Sequence, residues 1–262
     1  MKIIAKLFRR HDQKLHKYCE TLLEEKSFGF EERLQSFYQF LLKNGDIAID
    51  IGAHSGRHTI PLANCVGARG KVIAFEVQKE AINKLLSLAR LFNIKNIEIQ
   101  EFALSNCKGE SIFHIATDRP EESGLLKRSV YNGPTEISKI TVSVNTLDSF
   151  KFNRPRFIKI DTEGAEHNVL EGARSTILEY KPIIAFEFGA SSYEAYDVNP
   201  KDTYKFFEDK NYEVLNIFGD VLDGDAFVEA SKVQTYWDYV ACHHSDIGIV
   251  QSALKSYQKN ES

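Results

Sequence analysis

Two acidic residues stand at the ends of short apolar runs, where a carboxylate can bind a ligand. Asp50 follows the run IAI in the segment DIAID and precedes a glycine-containing loop, and Glu76 ends the next run, KVIAFE. A hydrogen bond to a charged group contributes about 1.5–3 kcal/mol, so two such carboxylates can hold a ligand that carries donors. The chemistry that they fit is recognition of a cation or of ribose hydroxyls.

The loop that follows Asp50 reads DIGAHSG and decides between two classes of nucleotide ligand. Gly52 and Gly56 allow a sharp turn and a close approach of a ligand to the backbone. A dinucleotide fingerprint requires G-x-G-x-x-G, because a pyrophosphate needs close backbone N–H groups. Here His54 stands where the second glycine would be, and the charge of Asp50 would repel a pyrophosphate. We therefore expect S-adenosylmethionine, with Asp50 at its ammonium and Glu76 at its ribose.

Apolar runs alternate with helical patterns along the chain, and this alternation predicts the elements that position the two carboxylates. Strands are predicted at residues 46–51, 71–76, 97–104, 157–161, 182–187, 212–217 and 236–241, the last two as a hairpin-like edge. Helices are predicted between them, including one at residues 165–178. The pattern is typical of a doubly wound, Rossmann-like α/β fold with a seven-stranded, mostly parallel sheet and an antiparallel last strand. In such a sheet, ligands bind at the carboxyl ends of the central strands.

Domain boundaries follow from the same pattern. Residues 1–44 are predicted to form an N-terminal helical extension and residues 45–250 the main domain. Residues 251–262 are predicted to be a polar tail. Residues 106–140 interrupt the alternation with polar sequence and contain one short β pattern at residues 111–116. We interpret this interruption as an insertion or a lid.

Composition narrows the function further. The 262 residues carry a net charge of -4, so no global positive field attracts nucleic acid, and we expect no nucleic-acid partner. The four cysteines form no CxxC pair, which indicates free thiols in a reducing compartment. No segment approaches the ~20 apolar residues that a membrane span needs. We therefore expect a cytoplasmic protein without a membrane span.

The predicted N-terminal helices carry an aromatic stripe: Phe30, Phe37, Tyr38 and Phe40. A stripe at helical spacing is typical of core packing. It could also cover the substrate cleft, or pair with a second subunit to form a homodimer through the N-terminal helices. The sequence leaves these alternatives open.

Taken together, the motifs resemble those of the FkbM family of methyltransferases. The resemblance runs from about residue 46 to residue 187 and rests on DIGAHSG, Phe75-Glu76, Ala103-Leu-Ser105, Thr146-Leu-Asp148, the run KIDTEGAE at residues 159–166, Val169-Leu170 and Gly172-Ala173. Two departures stand out. Val77 occupies the place after the glutamate where the family usually has proline, and Leu125-Leu126 follows Ser123-Gly124 where a serine-rich segment is common.

This resemblance implies a class I methyltransferase fold with S-adenosylmethionine as cofactor and S-adenosylhomocysteine as product. It also implies methyl transfer to a hydroxyl oxygen of a saccharide or a saccharide-containing metabolite, so the partner is a small-molecule or glycan acceptor. Phe102 and Ala103, near the end of the third predicted strand, are expected to border the adenine. A plain core role for Phe102 is the alternative.

A second acidic group follows the fourth and fifth predicted strands and is the expected reaction centre. A hydroxyl acceptor needs help in losing its proton, so we expect Asp161 or Glu163 to act as the general base. Glu187 and His167 are expected to orient the acceptor. The alternative is that Glu163 and Glu166 favour a helix start through its dipole, with His167 on the helix surface.

A divalent metal is a competing use of Asp161, Glu163 and Glu187, whose oxygens could hold Mg²⁺. Their spacing does not require one. His243 and His244 are adjacent on a predicted strand and point to opposite faces, so we assign no metal ligands. Two rival functions remain: an NAD-dependent oxidoreductase or epimerase, and a catalytically silent binding module that keeps the cofactor fold.

Overall fold

The computed structural model describes residues 29–128 and 133–257. Residues 1–28 of the predicted N-terminal extension lie outside the described residues, as do residues 258–262 of the predicted tail. Residues 129–132, within the predicted insertion or lid, lie outside them too. No helix in the described part of the chain combines the length and the apolar character that crossing a bilayer requires.

The described residues form strands and helices in alternation. The strands are β1 (Ile47–Ile51), β2 (Lys71–Phe75), β3 (Ile97–Gln100), β4 (Ala103–Leu104), β5 (Gly109–Ala116), β6 (Ile137–Asn145), β7 (Phe157–Ile160), β8 (Ile183–Glu187), β9 (Tyr212–Asn216), β10 (Val221–Leu222) and β11 (Asp238–His243). The helices are α1 (Phe30–Leu41), α2 (Thr59–Val66), α3 (Lys79–Leu91), α4 (Glu166–Glu171), α5 (Arg174–Tyr180), α6 (Ala190–Tyr193), α7 (Pro200–Glu208), α8 (Gly224–Lys232) and α9 (Ile247–Ser256).

The main sheet confirms the predicted doubly wound α/β fold. Its strand order is β10-β9-β11-β8-β7-β1-β2-β3, and the five strands from β8 to β3 pair in parallel. β11 is antiparallel to both β8 and β9. The sheet has eight strands and not seven, because the two-residue strand β10 pairs with β9 at the edge. The last two predicted strands, β9 and β11, pair antiparallel as in a hairpin, but β10 takes the edge position and β11 lies inside the sheet.

Side chains alternate along the central strands and fill a core on each face of the sheet. Ile49 of β1 packs with the helices that follow β7 and β8, whereas Ala48 packs with Leu34 of α1, Leu62 of α2 and Val250 of α9. This is the two-residue period of a strand that is buried on both faces. Helix α1 is therefore one of the layers that cover the sheet.

Both ends of the described chain close this second face. α1 packs against α9, and the Tyr257 hydroxyl donates a hydrogen bond to Glu32 Oε2 at 3.0 Å. Val250, Ala253 and Leu254 are buried, so helical structure continues past the predicted domain end at residue 250. Of the aromatic stripe, Phe30, Phe37 and Tyr38 are buried and Phe40 is exposed. Pairing of this helix with a second subunit stays a prediction.

A second sheet of three strands, in the order β4-β6-β5, stands beside the main one. The predicted third strand, residues 97–104, divides here, because β3 joins the main sheet and β4 pairs with β6. The short β pattern at residues 111–116 belongs to β5. Strand β6 was not predicted, although its isoleucine and valine residues alternate with polar ones, as is typical of a strand with one buried face.

The helix predicted at residues 165–178 is divided into α4 and α5 at Gly172. A Cβ atom at Gly172 would lie 2.1 Å from the carbonyl oxygen of Ser105, so only glycine fits there. The close approach joins this end of α4 to the loop that follows β4. It therefore holds the second sheet against the main one, next to the carboxyl end of β7.

Candidate functional site

A cavity of about 1020 Å³ opens at the carboxyl ends of β1, β2, β7 and β8. Its size is at the upper end of the range for small-molecule sites in proteins. Both acidic groups that the sequence singles out line it: Asp50 and Glu76 on one side, and Asp161, Glu163 and Glu187 on the other. Residues 119–123 and Leu125, which follow β5, close it from the second sheet.

Gly52 joins the two sides of the cavity. Its φ is +80°, and a Cβ atom there would lie 1.7 Å from the carbonyl oxygen of Asp161. The loop after β1 therefore touches the end of β7, a contact that a larger residue would block. Gly56 has another role: it does not line the cavity, and a Cβ atom there would meet Leu85 of α3 at 2.5 Å.

Asp50 is the most deeply buried acid of the first side, with 1% of its surface exposed. Thr59 Oγ1 donates to Asp50 Oδ2 at 2.6 Å, while Oδ1 is buried without a hydrogen-bond partner among the described residues. A buried acceptor without a partner costs about 1–3 kcal/mol. Because Asp50 lines the cavity, a bound cation or donor can satisfy this oxygen.

Glu76 organises the loops around it through its carboxylate. Oε2 accepts from the backbone N–H of His54 at 2.7 Å, and Oε1 accepts from those of Val77 and Gln78 at 2.7 and 2.8 Å. Burial raises the pKa of Glu76, although these three hydrogen bonds act in the opposite direction. A carboxylate offers about four acceptor positions, so Glu76 can still accept from a ligand hydroxyl.

Three other residues predicted for the cofactor also line the cavity. His54 has a positive φ of 45°, and burial lowers the pKa of its imidazole. Phe102 and Ala103 lie beside it on the cavity wall. The ring of Phe102 also packs edge-on against Phe150, with the ring centroids 5.5 Å apart, so it lines the cavity and belongs to the core at once.

On the second side, the side chain of Lys159 connects the two acidic groups. Its Nζ donates to Asp161 Oδ2 at 2.8 Å, and β7 places Lys159 beside Asp50 of β1 in register. Burial alone would lower the pKa of Lys159, but the charges of Asp161, Asp50 and Glu31 raise it. The ammonium is therefore retained in the cavity wall and offsets part of the negative charge there.

Glu163 and Glu187 are the two carboxyl groups whose ionisation the site opposes most. Burial, followed by the charge of Asp161, raises the pKa of each well above its usual range. Arg128 forms an ion pair with Glu163, and its Nη2 also donates to Ser191 Oγ at 3.2 Å. Clustered carboxyl groups of this kind cannot all ionise at neutral pH, so the site can both accept and donate protons.

His167 and Glu166 do not line the cavity. His167 Nδ1 lies 3.0 Å from Thr203 Oγ1, and burial lowers the pKa of its ring. Glu166 Oε1 accepts from the backbone N–H groups of Thr162 and Gly164 at 2.8 and 3.1 Å, which shapes the turn before α4. The structure thus separates His167 from the acidic group that it was expected to join.

The structure adds residues that the sequence did not single out. Glu31 of α1 pairs with Arg57 Nη1 at 3.3 Å and with His58 Nε2 at 2.7 Å, and all three residues line the cavity. Burial would raise the pKa of Glu31, but His58 and Arg57 lower it to about 2. Gln234 and Trp237 line the cavity from the segment before β11. No local pattern marks these residues, since they come from parts of the chain that only the fold brings together.

Among the described residues, no group of three or more His, Cys, Asp and Glu side chains has a geometry that could hold a metal ion. Asp161 and Glu163 instead face the cations of Lys159 and Arg128. The negative charge of this side is therefore offset by protein side chains.

A comparison with known families and structures finds matches to methyltransferases. A family model described as "Methyltransferase FkbM domain" matches residues 50–214. The chain is similar to methyltransferase FkbM from Methylobacillus flagellatus, with 16% identity and a TM-score of 0.49 over 77% of this chain, but it spans only 44% of that chain.

Two further structures are similar at lower scores. A SAM-dependent methyltransferase from Aquifex aeolicus is 15% identical, with a TM-score of 0.44 over 86% of this chain and 95% of that one. A proposed methyltransferase from Streptococcus mutans, solved in complex with SAH, is 16% identical, with a TM-score of 0.47 over 80% of this chain and 96% of that one. No curated protein sequence matches this chain.

Proposed function

The chain belongs to the FkbM family of S-adenosylmethionine-dependent methyltransferases, and from that premise we propose that it methylates a hydroxyl oxygen of a saccharide or a saccharide-containing metabolite. The observation that carries the proposal is the joining of two acidic sides in one cavity. One side offers the unpartnered Asp50 Oδ1, and the other offers the clustered carboxyl groups of Asp161, Glu163 and Glu187. The first side of the cavity therefore complements a cationic methyl donor, and the second side complements a hydroxyl acceptor.

The residues of the first side fit the cofactor. Asp50 Oδ1 would accept from its ammonium, and Glu76 would accept from its ribose hydroxyls. Phe102 and Ala103 would border the adenine, with the backbone of Gly52 close to the amino-acid part. When bound, S-adenosylmethionine supplies a methyl group on a positively charged sulfur.

On the second side we assign Asp161 as the general base. Lys159 donates a hydrogen bond to Asp161 Oδ2. The side chain of Asp161 is 28% exposed, against 14% for that of Glu163, so an acceptor reaches Asp161 more readily. Loss of the hydroxyl proton to a positioned carboxylate typically contributes about 10²–10⁴-fold in rate. Burial opposes ionisation of Glu187, so its carboxyl group would donate a hydrogen bond to the acceptor, while Glu163 stays paired with Arg128.

The saccharide assignment is supported by the mixed lining around this base. Ser191 and Gln234 supply hydroxyl and amide groups, and Trp237 presents a ring that is 40% exposed. A sugar has hydroxyl edges and apolar ring faces, and an amphipathic aromatic ring beside polar side chains complements both. This part of the cavity is therefore the proposed acceptor site.

Calorimetric titration with S-adenosylhomocysteine tests the cofactor half. We expect the wild type to bind it and not NAD, and we expect Asp50→Asn to weaken binding roughly 10- to 100-fold through loss of a charged hydrogen bond. Binding of NAD alone would contradict the proposal. For the acceptor half, methyl-labelled S-adenosylmethionine is incubated with a saccharide panel and the product is analysed by NMR. A label on nitrogen or carbon would contradict O-methylation.

A further inference from the structure

Arg57 carries two buried donors for which the described structure offers no partner. Its Nε and Nη2 atoms are both buried without a hydrogen bond among the described residues, while Nη1 pairs with Glu31 Oε1 at 3.3 Å. Nε and Nη2 form one edge of the guanidinium, and their spacing matches the two oxygens of a carboxylate. Arg57 lines the cavity, so a ligand bound there is a candidate partner for these two donors.

The unmet donors of Arg57 have a counterpart in the lining of the same cavity. Asp50 Oδ1 is a buried acceptor without a partner, seven residues earlier in the same strand-and-loop segment. An unmet carboxylate oxygen and an unmet guanidinium edge together are complementary to a zwitterion. The α-amino acid head of the cofactor is such a group, since its ammonium and its carboxylate are attached to one carbon.

We propose that Arg57 binds the carboxylate of the methionine part of the cofactor, while Asp50 binds its ammonium. This inference rests on the proposed function, because it assigns a further residue to the same cofactor site. The guanidinium edge would make two parallel N–H···O bonds, which fix the direction of the amino-acid part. The reactive sulfur is covalently tied to that part, so Arg57 helps to aim the methyl group at the second side of the cavity.

Other basic side chains near this part of the cavity are already engaged. Lys159 Nζ donates to Asp161 at 2.8 Å and lies in the field of Asp50 and Glu31. His58 Nε2 contacts Glu31 Oε2 at 2.7 Å. Arg57 uses only Nη1 for its own contact with Glu31, so its outer edge keeps two donors in a fixed plane.

Glu31 positions the guanidinium from outside the part of the chain that the family model matches. It lies on α1, whereas the match begins at residue 50. Its carboxylate is held as an anion by His58 and Arg57, with a pKa of about 2 against the opposing effect of burial. Helix α1 therefore completes the proposed carboxylate site by holding Arg57 in place.

Two ligands that differ only in the amino-acid head test the proposal. S-adenosylhomocysteine has this head, and 5′-methylthioadenosine keeps the nucleoside and the thioether but lacks it. Both are titrated by calorimetry into the wild type, Arg57→Gln, Arg57→Lys and the control Arg90→Gln, whose arginine is exposed on α3 outside the cavity. Binding of 5′-methylthioadenosine also reports that a variant keeps a folded nucleoside site.

We expect Arg57→Gln to weaken S-adenosylhomocysteine binding roughly 10-fold or more and to leave 5′-methylthioadenosine binding unchanged. Arg57→Lys should recover only part of the loss, because an ammonium lacks the planar fork. Arg90→Gln should match the wild type with both ligands. An unchanged affinity for S-adenosylhomocysteine in Arg57→Gln, or an equal loss for both ligands, would overturn the inference while leaving the proposed function standing. Failure of the wild type to bind S-adenosylhomocysteine would overturn both.

Discussion

Replacing Gly52 by alanine should separate the two sides of the site by forcing the loop after β1 away from β7. The new Cβ atom would lie 1.7 Å from the carbonyl oxygen of Asp161 and 2.9 Å from its carbonyl carbon. Both atoms belong to the backbone of a central strand end, so they cannot turn aside as a side chain would. The φ of +80° adds strain for any residue with a Cβ atom.

The magnitude follows from these two contributions. Left-handed backbone strain costs roughly 1–2 kcal/mol for a non-glycine residue, and overpacking at a rigid contact costs about 1–3 kcal/mol. We therefore expect Gly52→Ala to lower the free energy of unfolding by about 2–5 kcal/mol, a large part of the 5–15 kcal/mol typical of a domain. Binding of S-adenosylhomocysteine should weaken as well, because the loop backbone moves.

Urea unfolding with a matched glycine separates the contact from the strain. Gly45 has a φ of +110°, and a Cβ atom there would meet nothing within 4 Å, so Gly45→Ala carries backbone strain without the collision. We expect Gly52→Ala to be clearly less stable than Gly45→Ala and to bind S-adenosylhomocysteine more weakly at a temperature where both are folded. Equal stability and equal affinity of the two variants would refute the claim that this close approach holds the site together.

Three further measurements test the base, a buried carboxyl group and helix α1. Asp161→Asn should lower kcat by about 10²–10⁴-fold because the hydroxyl proton loses its acceptor. The affinity for S-adenosylhomocysteine, measured by calorimetry, should stay at the wild-type value. A parallel loss of affinity would contradict the role of Asp161 as general base. Burial, followed by the charge of Glu31, raises the pKa of Asp238 from 3.8 to about 8. The folded state then binds the proton of Asp238 more tightly than the unfolded state does. The contribution of Asp238 to the free energy of unfolding is therefore complete below about pH 4 and is lost as the pH rises through about 8. Urea titrations should show this decline in the wild type and a shallower one in Asp238→Asn; identical slopes would exclude the effect. Leu34→Ala on α1 removes a side chain that is 0% exposed and should cost about 2–5 kcal/mol, whereas Phe40→Ala, at 56% exposure, should stay within about 0.5 kcal/mol in the same assay.

The sequence by itself determined the doubly wound fold and the strand ends that surround the cavity. Buried parallel strands are continuously apolar over a few residues, so the local hydrophobicity of the sequence predicts where they lie. The carboxyl ends of the central strands form a shared crevice in every such sheet. Asp50, Glu76, Asp161 and Glu187 could therefore be assigned to one crevice before any distance was known, and all four line the cavity.

Short or divided elements were harder to predict. Strand β10 has two residues, too few for a hydrophobic period, and the predicted third strand divides because its two halves pair with different sheets. Pairing between strands depends on partners that are distant in the chain. A local pattern can therefore indicate a strand without indicating its sheet.

Only the tertiary structure decided which polar side chains meet in the cavity. Glu31 reaches Arg57 and His58 because α1 packs on the sheet face next to the loop after β1, and no spacing in the sequence encodes that contact. Conversely, His167 is near Asp161 in the chain but turns to Thr203. Local sequence determines burial and backbone conformation, whereas the contacts of a charged side chain depend on which distant segments the packed core brings beside it.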